Sequence, residues 1–168
     1  MLPRAIAVVR ILIGAAFLAL GILLLTDPAF LYGGLLLRLS EHGQPYAFYN
    51  RYVLGPYVEH SQELFAYVVA ASEILLGVSF VTGALVSLAS LGGALLVLNF
   101  GLATAAGKPL VMAMHVLFAF AFLALGRYGA GLTWGVDGWL ARRINEVIVL
   151  FPLRFSLPAY FTLDEPEE

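Results

Sequence analysis

The sequence predicts an all-α integral membrane protein built on a bundle of four membrane-spanning helices. Of its 168 residues, 61% are hydrophobic and only 12% are charged, about half the charged fraction of an ordinary soluble domain. A soluble chain of this length would need more polar surface than 9 basic and 11 acidic residues provide. Four separate stretches have the length of about 20 apolar residues that crossing a bilayer requires. We therefore expect membrane lipid to contact most of the protein surface.

The first predicted span covers residues 5–25. Thr26-Asp27-Pro28 ends it, because proline lacks a backbone N–H and disfavours helix at the residue before it. This run is too long for the core of a signal peptide, and no small-x-small cleavage site follows it. We expect it to be retained as a helix.

The other three predicted spans cover residues 64–86, 88–106 and 109–127. Only a few residues separate them, so they should form a series of antiparallel neighbours. Pro109 stands at the first turn of the last span, where a missing N–H is tolerated. Residues 1–127 are thus predicted to form the four-helix bundle.

Residues 26–63 form a long loop between the first and second spans and are too polar to cross the membrane. The loop contains five tyrosines, and aromatic rings with a polar tip favour the headgroup layer. We expect the loop to lie on the membrane surface. Residues 30–39 are a candidate interfacial helix within it, although the Gly33-Gly34 pair disfavours a helix.

Residues 128–168 are predicted to form a C-terminal arm. Apolar side chains from Asp137 to Phe151 recur at helical spacing with basic residues opposite, which indicates an amphipathic helix at the membrane interface. A fifth span is rejected because it would bury Arg154 and include two prolines. We expect residues 151–163 to contact a partner chain or a second copy, with folding back along the bundle as the alternative. The acidic tail, residues 164–168, should be solvated.

The distribution of basic residues predicts the orientation. Four spans place both termini on one side, and the positive-inside rule makes the more basic side cytoplasmic. We therefore expect a multi-pass protein of the inner (plasma) membrane, with both termini in the cytoplasm and the long loop outside. The basic residues on the terminal side are Arg4, Arg127, Arg142, Arg143 and Arg154.

Composition argues against several function classes. The formal net charge is −2 and no basic run occurs, which disfavours nucleic-acid binding. There is no cysteine, so this chain cannot supply disulfides, thiolate metal ligands or a dithiol relay. His115 alone is a poor metal or haem site, because such sites need several donors. We expect no metal and no covalently bound cofactor.

Four polar residues fall inside the predicted spans, where they are costly and by default mark a site, a relay or a pair. They are Arg10, Glu73, Asn99 and His115. Counting about 1.5 Å per residue places the last three in the outer half of the bilayer. Arg10 lies near the inner side, where we expect it to extend toward the headgroups.

Glu73 has two interpretations: an interhelical hydrogen bond, made in the protonated form, or a ligand-binding or proton-handling role. For Asn99, an interhelical hydrogen bond is favoured.

Several stretches resemble the DoxX/DoxD family of small four-span membrane proteins. They are FAYVVAASEILLG at residues 65–77, NFGLA at 99–103, and GRYGAGL at 126–132 followed by Val136-Asp137. The start of the first span, from Arg10 to Gly14, is also similar. The resemblance covers most of residues 4–143, with Thr-Trp-Gly lengthening the segment before Asp137.

The resemblance implies a subunit of thiosulfate:quinone oxidoreductase or terminal quinol oxidase assemblies. The leading hypothesis is a redox-associated membrane subunit that binds quinone, or a lipid-like molecule, in the outer half of the bundle. Electrons would come from a partner subunit, because the chain carries no electron carrier of its own. Glu73 and His115 are candidate proton-handling groups, and Glu73, Asn99, His115 and Arg10 are candidate ligand-binding residues.

The alternative is a structural or assembly subunit of a larger membrane complex, or of a homo-oligomer, without catalysis of its own. A small-solute transporter is disfavoured, because four spans without repeats or broken helices offer little for alternating access. The first two hypotheses differ in whether the polar residues open onto a cavity of ligand size.

Overall fold

The computed structural model of the protein describes residues 2–144 and 146–161. The acidic tail predicted at residues 164–168 lies outside this part of the chain. Helix accounts for 78% of the structure, and the described residues contain no strand. The all-α prediction is therefore confirmed. In chain order the α-helices are α1 (Leu2–Leu25), α2 (Leu35–His42), α3 (Ala47–Tyr49), α4 (Gln62–Thr82), α5 (Val86–Thr104), α6 (Pro109–Tyr128), α7 (Val136–Arg143) and α8 (Glu146–Leu150). Two π-helical segments, Phe30–Gly34 and Asn50–Val58, lie between α1 and α4.

Four of these helices, α1, α4, α5 and α6, are long and apolar enough to cross a membrane. They correspond to the four predicted spans, with ends displaced by up to four residues. The largest difference is at the end of α4, which stops at Thr82 because Gly83 adopts a left-handed conformation with φ +68°. A glycine in this conformation commonly ends a helix.

The segment between α1 and α4 packs onto one end of the bundle, which we call the loop end. Its buried side chains Phe30, Leu35, Tyr49 and Leu54 share a hydrophobic cluster with Ala66 of α4 and Ala103 of α5. Backbone hydrogen bonds add to this packing: the Tyr46 N–H donates to the Leu102 carbonyl at 3.0 Å. Burial of these side chains shows that the segment is part of the folded core.

The candidate helix at residues 30–39 is interrupted near its middle. Phe30–Gly34 is a π-helical turn in which Tyr32 and Gly33 leave helical geometry, with φ +102° at Gly33. The regular helix α2 begins only at Leu35. Glycine supplies the positive φ at low steric cost, so the Gly33-Gly34 pair sets this boundary.

Residues 129–144 and 146–161 lie at the opposite end, which we call the arm end. The single amphipathic helix expected from Asp137 to Phe151 is instead two short helices, α7 and α8. The described residues that follow fold back on the bundle, where the Leu153 N–H and the Leu150 carbonyl both bond the Ser87 hydroxyl, at 3.2 and 2.6 Å. Tyr160 also donates to the Tyr128 carbonyl at 2.7 Å. Residues 151–161 therefore contact the bundle, as in the fold-back alternative, while Phe151 and Phe155 are exposed; the expected contact with a partner chain stays a prediction.

Two tight helix pairs make up the bundle core. A Cβ atom at Gly77 of α4 would lie 2.5 Å from the Leu18 nitrogen of α1, so these two backbones touch. Between α5 and α6, a Cβ at Gly93 would lie 2.9 Å from the Phe122 ring. Small residues permit such close approach in lipid, where van der Waals packing holds helices together.

Candidate functional site

A long groove separates α4 from α5. Its volume is about 760 Å³, and it runs from Tyr49 and Ala103 at the loop end to Thr82 and Leu85 at the arm end. We call it the α4–α5 groove. Leu75 of α4 and Leu95 of α5 line it and are strongly exposed. The groove stays open because α4 packs closely on α1 at Gly77 and α5 packs closely on α6 at Gly93. The walls are formed mainly by aliphatic side chains.

A hydrogen-bonded pair, Tyr49 and Asn99, lies at the loop end of this groove. The Tyr49 hydroxyl donates to the Asn99 side-chain oxygen. Burial raises the pKa of Tyr49 above its ordinary value, and the hydrogen bond to Asn99 acts in the opposite direction. The phenol is therefore a neutral donor. Asn99 was expected to bond another span, but its observed partner is in the loop, because α3 inserts Tyr49 beside α5.

The amide nitrogen of Asn99 remains available to a ligand. This nitrogen has no hydrogen bond to any described residue, and Asn99 is exposed on the groove wall. Because the amide oxygen already accepts from Tyr49, the unused part of the side chain is its N–H donor face. The pair thus presents a fixed donor to whatever occupies this end of the groove.

Glu73 lies in the interior of the bundle, on a different face of α4. Only 6% of it is exposed, and it belongs to the buried stripe of Ala70, Gly77 and Phe80. Its carboxyl group makes no hydrogen bond with the described residues, and Oε2 is fully enclosed. Among the described residues there is therefore no partner for the interhelical hydrogen bond that was one of the two interpretations of Glu73. An enclosed carboxyl without a partner is energetically costly. This cost favours the second interpretation of Glu73, a ligand-binding or proton-handling role.

His115 is separated from Asn99 by the geometry of α5. His115 packs against Gly101, because a Cβ atom built on Gly101 would lie 3.0 Å from the Cβ atom of His115. Asn99 and Gly101 are two positions apart, which is about 200° around a helix. His115 Nδ1 lies 2.8 Å from the Val111 carbonyl oxygen in its own helix. Glu73 and His115 are not among the described residues that line the groove, so the structure does not bring the three candidates together.

Arg10 does not extend toward the headgroups as expected. It is completely buried, and its two terminal nitrogens donate to the carbonyls of Ala130 at 3.0 Å and Trp134 at 3.1 Å. The chain after α6 folds over this part of α1 and supplies these acceptors, and only the buried Nε of Arg10 has no hydrogen-bond partner among the described residues. The guanidinium lies beside Gly83, ten residues along α4 from Glu73 and thus about 15 Å away. The absence of an Arg10–Glu73 pair follows from this spacing.

Asp137 is a buried residue whose role the sequence did not indicate. Its carboxylate accepts from the N–H groups of Leu85 at 2.6 Å and Val86 at 2.9 Å, at the start of α5. Its own N–H donates to the Gly83 carbonyl at 2.8 Å. A carboxylate at this position satisfies free helix donors and complements the helix dipole. From the sequence, an aspartate at the start of α7 is expected to cap α7 itself. Nothing in the neighbouring residues indicates that it binds the start of α5 instead.

The charge of Asp137 is set by opposing effects. Burial raises its pKa to about 6, while the two backbone N–H bonds and the nearby Arg10 guanidinium act to lower it. Asp137, Arg10 and the two chain segments that they bond form one network at the arm end. This network joins α1, the α4–α5 turn and the arm.

Comparison of the chain with protein-family models, with curated proteins and with solved structures gives no match. The resemblance to the DoxX/DoxD family therefore rests on the quoted stretches, and its implications are proposals.

Proposed function

We propose that the chain is a DoxX-like, redox-associated membrane subunit that binds quinone, or a similar lipid-like molecule, in the α4–α5 groove. The observation that carries this proposal is a groove of about 760 Å³ with the Tyr49–Asn99 pair at its loop end. Ligand sites of this kind are concave, mostly apolar and carry a few placed polar groups. The groove has all three properties.

The proposal includes an orientation in the inner (plasma) membrane. The loop end faces outward, the arm end faces the cytoplasm, and exposed side chains of the arm, including Trp139 and Phe155, lie among the inner headgroups. The excess of arginine at the arm end supports this orientation. The site then lies in the outer half of the membrane.

Cysteines introduced at Ser40 and Ser156 test the orientation, and the native chain has no cysteine to interfere. Both serines are exposed. An impermeant thiol reagent added to intact cells should label the Ser40 variant, whereas the Ser156 variant should need permeabilised cells. Labelling of both from one side contradicts the four-span topology.

Electrons and protons have different sources in the proposed reaction. With no cysteine and no electron carrier of its own, this chain relies on a partner subunit for electrons, for example from thiosulfate oxidation. Quinone reduction also consumes protons, which a buried carboxyl can supply. Glu73 is adjacent in sequence to Ser72, which lines the groove. We therefore propose that Glu73 is the proton-handling residue. His115 is the second candidate for this role.

Glu73→Gln separates a proton-handling role from a structural one. Glutamine preserves shape and neutral hydrogen bonding but does not exchange a proton. We expect unchanged thermal unfolding and quinone content, with reduced thiosulfate-dependent quinone reduction in membranes. Unchanged turnover would remove Glu73 from the mechanism.

Purification from native membranes without overexpression tests the function as a whole. Mass spectrometry of the purified material should find quinone enriched over the bulk membrane extract, together with partner redox subunits. A lipid composition equal to that of the bulk membrane contradicts ligand binding.

A structural or assembly subunit is the second candidate, and the exposed apolar surface of the arm supports it. Ile144, Ile148, Phe151 and Phe155 are all more than half exposed, and apolar patches of this kind often mark interfaces. The double variant Phe151→Ser/Phe155→Ser leaves the Leu153 and Tyr160 contacts with the bundle in place. Loss of co-purifying protein in this variant supports assembly, and an unchanged assembly mass argues against it.

A further inference from the structure

We infer that the ligand of the α4–α5 groove is an amphiphile with an uncharged, hydrogen-bond-accepting headgroup. The headgroup lies at the Tyr49–Asn99 pair, and the chain runs along the groove toward the α4–α5 turn. This inference rests on the proposed function and narrows it to a ligand class and an orientation.

The length of the groove suits an extended hydrocarbon chain. At about 1.5 Å per residue, the wall from Leu88 to Ala103 is about 22 Å long. The walls of the groove are almost entirely apolar along this length, as the contact surface of a hydrocarbon chain should be. The groove therefore has the length and the apolar lining that a hydrocarbon chain requires.

The charge of the walls selects a neutral headgroup. None of the described residues that line the groove is ionisable except Tyr49, whose phenol is neutral. An ionised phosphate at this depth would have no counter-ion, and an unpaired charge in an apolar site is very costly. A phospholipid headgroup is therefore disfavoured, and a carbonyl such as that of a quinone fits.

The available hydrogen-bond donors place the headgroup at the loop end. Asn99 offers its amide N–H groups there. At the arm end the hydroxyls are already used: Ser79 donates to the Ala84 carbonyl, and Thr82 donates to the Val78 carbonyl. Ser72, midway along the wall, has one further hydroxyl. A ligand with a shorter hydrocarbon chain would place its headgroup beside this hydroxyl.

Gly92 supplies space for the chain in the middle of the groove. It lines the wall, and a Cβ built there would have no atom within 4 Å. A large side chain at this position fills the groove without displacing protein atoms. Gly92→Phe is therefore the blocking variant. Ala124→Phe, at an exposed position of α6 away from the groove, is its matched control.

Binding of decylubiquinone to the protein in lipid nanodiscs tests the ligand class. We expect Gly92→Phe to weaken binding by more than tenfold and Ala124→Phe to leave it unchanged. Asn99→Leu should weaken it by about fivefold, the loss of one hydrogen bond worth about 1 kcal/mol. Competition by an equal concentration of a short-chain phosphatidylcholine would overturn the inference of an uncharged headgroup.

Fluorescence quenching tests the orientation, because a quinone ring quenches an indole that it contacts. Phe100 lines the groove near its loop end, and Phe100→Trp places a reporter there. The native Trp134 and Trp139, both in the arm, report on the opposite end. Saturable quenching of the introduced tryptophan, abolished by Gly92→Phe, is the expected result. Preferential quenching of the native tryptophans would overturn the orientation while leaving the proposed function intact. No saturable quenching of any tryptophan would overturn both.

Discussion

Helix α4 has two seams with its neighbours, and the same kind of residue has opposite effects in them. Against α1, glycines bring the backbones into contact: a Cβ at Gly14 would lie 2.7 Å from the Val81 nitrogen, and one at Gly21 would lie 2.8 Å from the Ile74 nitrogen. Against α5, Gly92 faces open space in the groove. A glycine in a membrane helix can therefore close a seam or widen it, and its neighbours decide which.

The seam between α4 and α5, which we call the open seam, is held together at its two ends by hydrogen bonds. At the arm end Asp137 bonds the α4–α5 turn through Gly83, Leu85 and Val86. At the loop end Tyr49 bonds Asn99. Between these points the helices stay apart, and this arrangement explains how a groove persists beside a close-packed seam.

The largest expected effect is that of Arg10→Leu. This variant removes the buried guanidinium at the arm end of the seam between α1 and α4. The variant leaves the Ala130 and Trp134 carbonyls without donors and Asp137 without its nearby positive charge. Breaking a buried charged network of this kind costs about 3–5 kcal/mol, measured by unfolding in detergent. Arg4→Leu is the control, because Arg4 lies over the Trp134 ring at 6.0 Å and such a contact is worth at most about 1 kcal/mol. Equal losses in the two variants would contradict the network.

The pH dependence of unfolding tests Asp137. Its pKa is raised from 3.8 to about 6, so between these values the folded state binds more protons than the unfolded chain. The free energy of unfolding should therefore fall as the pH rises from about 4 to 6, by up to about 3 kcal/mol. Asp137→Asn, which keeps a capping side chain, should flatten this dependence. A stability that rises over the same range would show that the hydrogen bonds outweigh burial.

The glycine comparison is tested directly by Gly77→Ala and Gly92→Ala. At Gly77 the added methyl would lie 2.5 Å from backbone, and overpacking of this kind costs about 1–3 kcal/mol. At Gly92 the methyl meets nothing, so only the cost of a glycine inside a helix is removed and the protein should be stabilised by up to about 1 kcal/mol. Thermal unfolding in detergent measures both variants. Similar values for the two would mean that the seams do not differ as described.

The smallest expected loss of stability is that of Tyr49→Phe at the loop end of the open seam. Removing one hydrogen bond should cost about 0.5–1.5 kcal/mol. A double-mutant cycle with Asn99→Ala isolates the interaction between the two side chains. A coupling energy near zero would show that Asn99 does not depend on Tyr49 for its position.

The four spans, and the succession of α4, α5 and α6 as neighbours, were determined by the sequence. In hydrocarbon, every backbone polar group must be satisfied within the segment, so an apolar stretch of sufficient length has to be a helix. The short connections then make α4, α5 and α6 neighbours. The same depth count correctly separated Arg10 from Glu73. These properties depend on local composition and length, which the sequence shows directly.

The partners of the polar residues were decided only by the tertiary structure. Tyr49 and Asn99 are 50 positions apart, Arg10 and Ala130 are 120, and Asp137 and Leu85 are 52. Each contact depends on how the loop or the arm folds onto a bundle end, and hydrophobic length does not specify that path. The groove has the same origin, because it exists where α4 and α5 each pack more closely against another helix. Burial of Arg10 shows the physical reason most clearly: its desolvation is offset by two carbonyls from a segment at the far end of the chain.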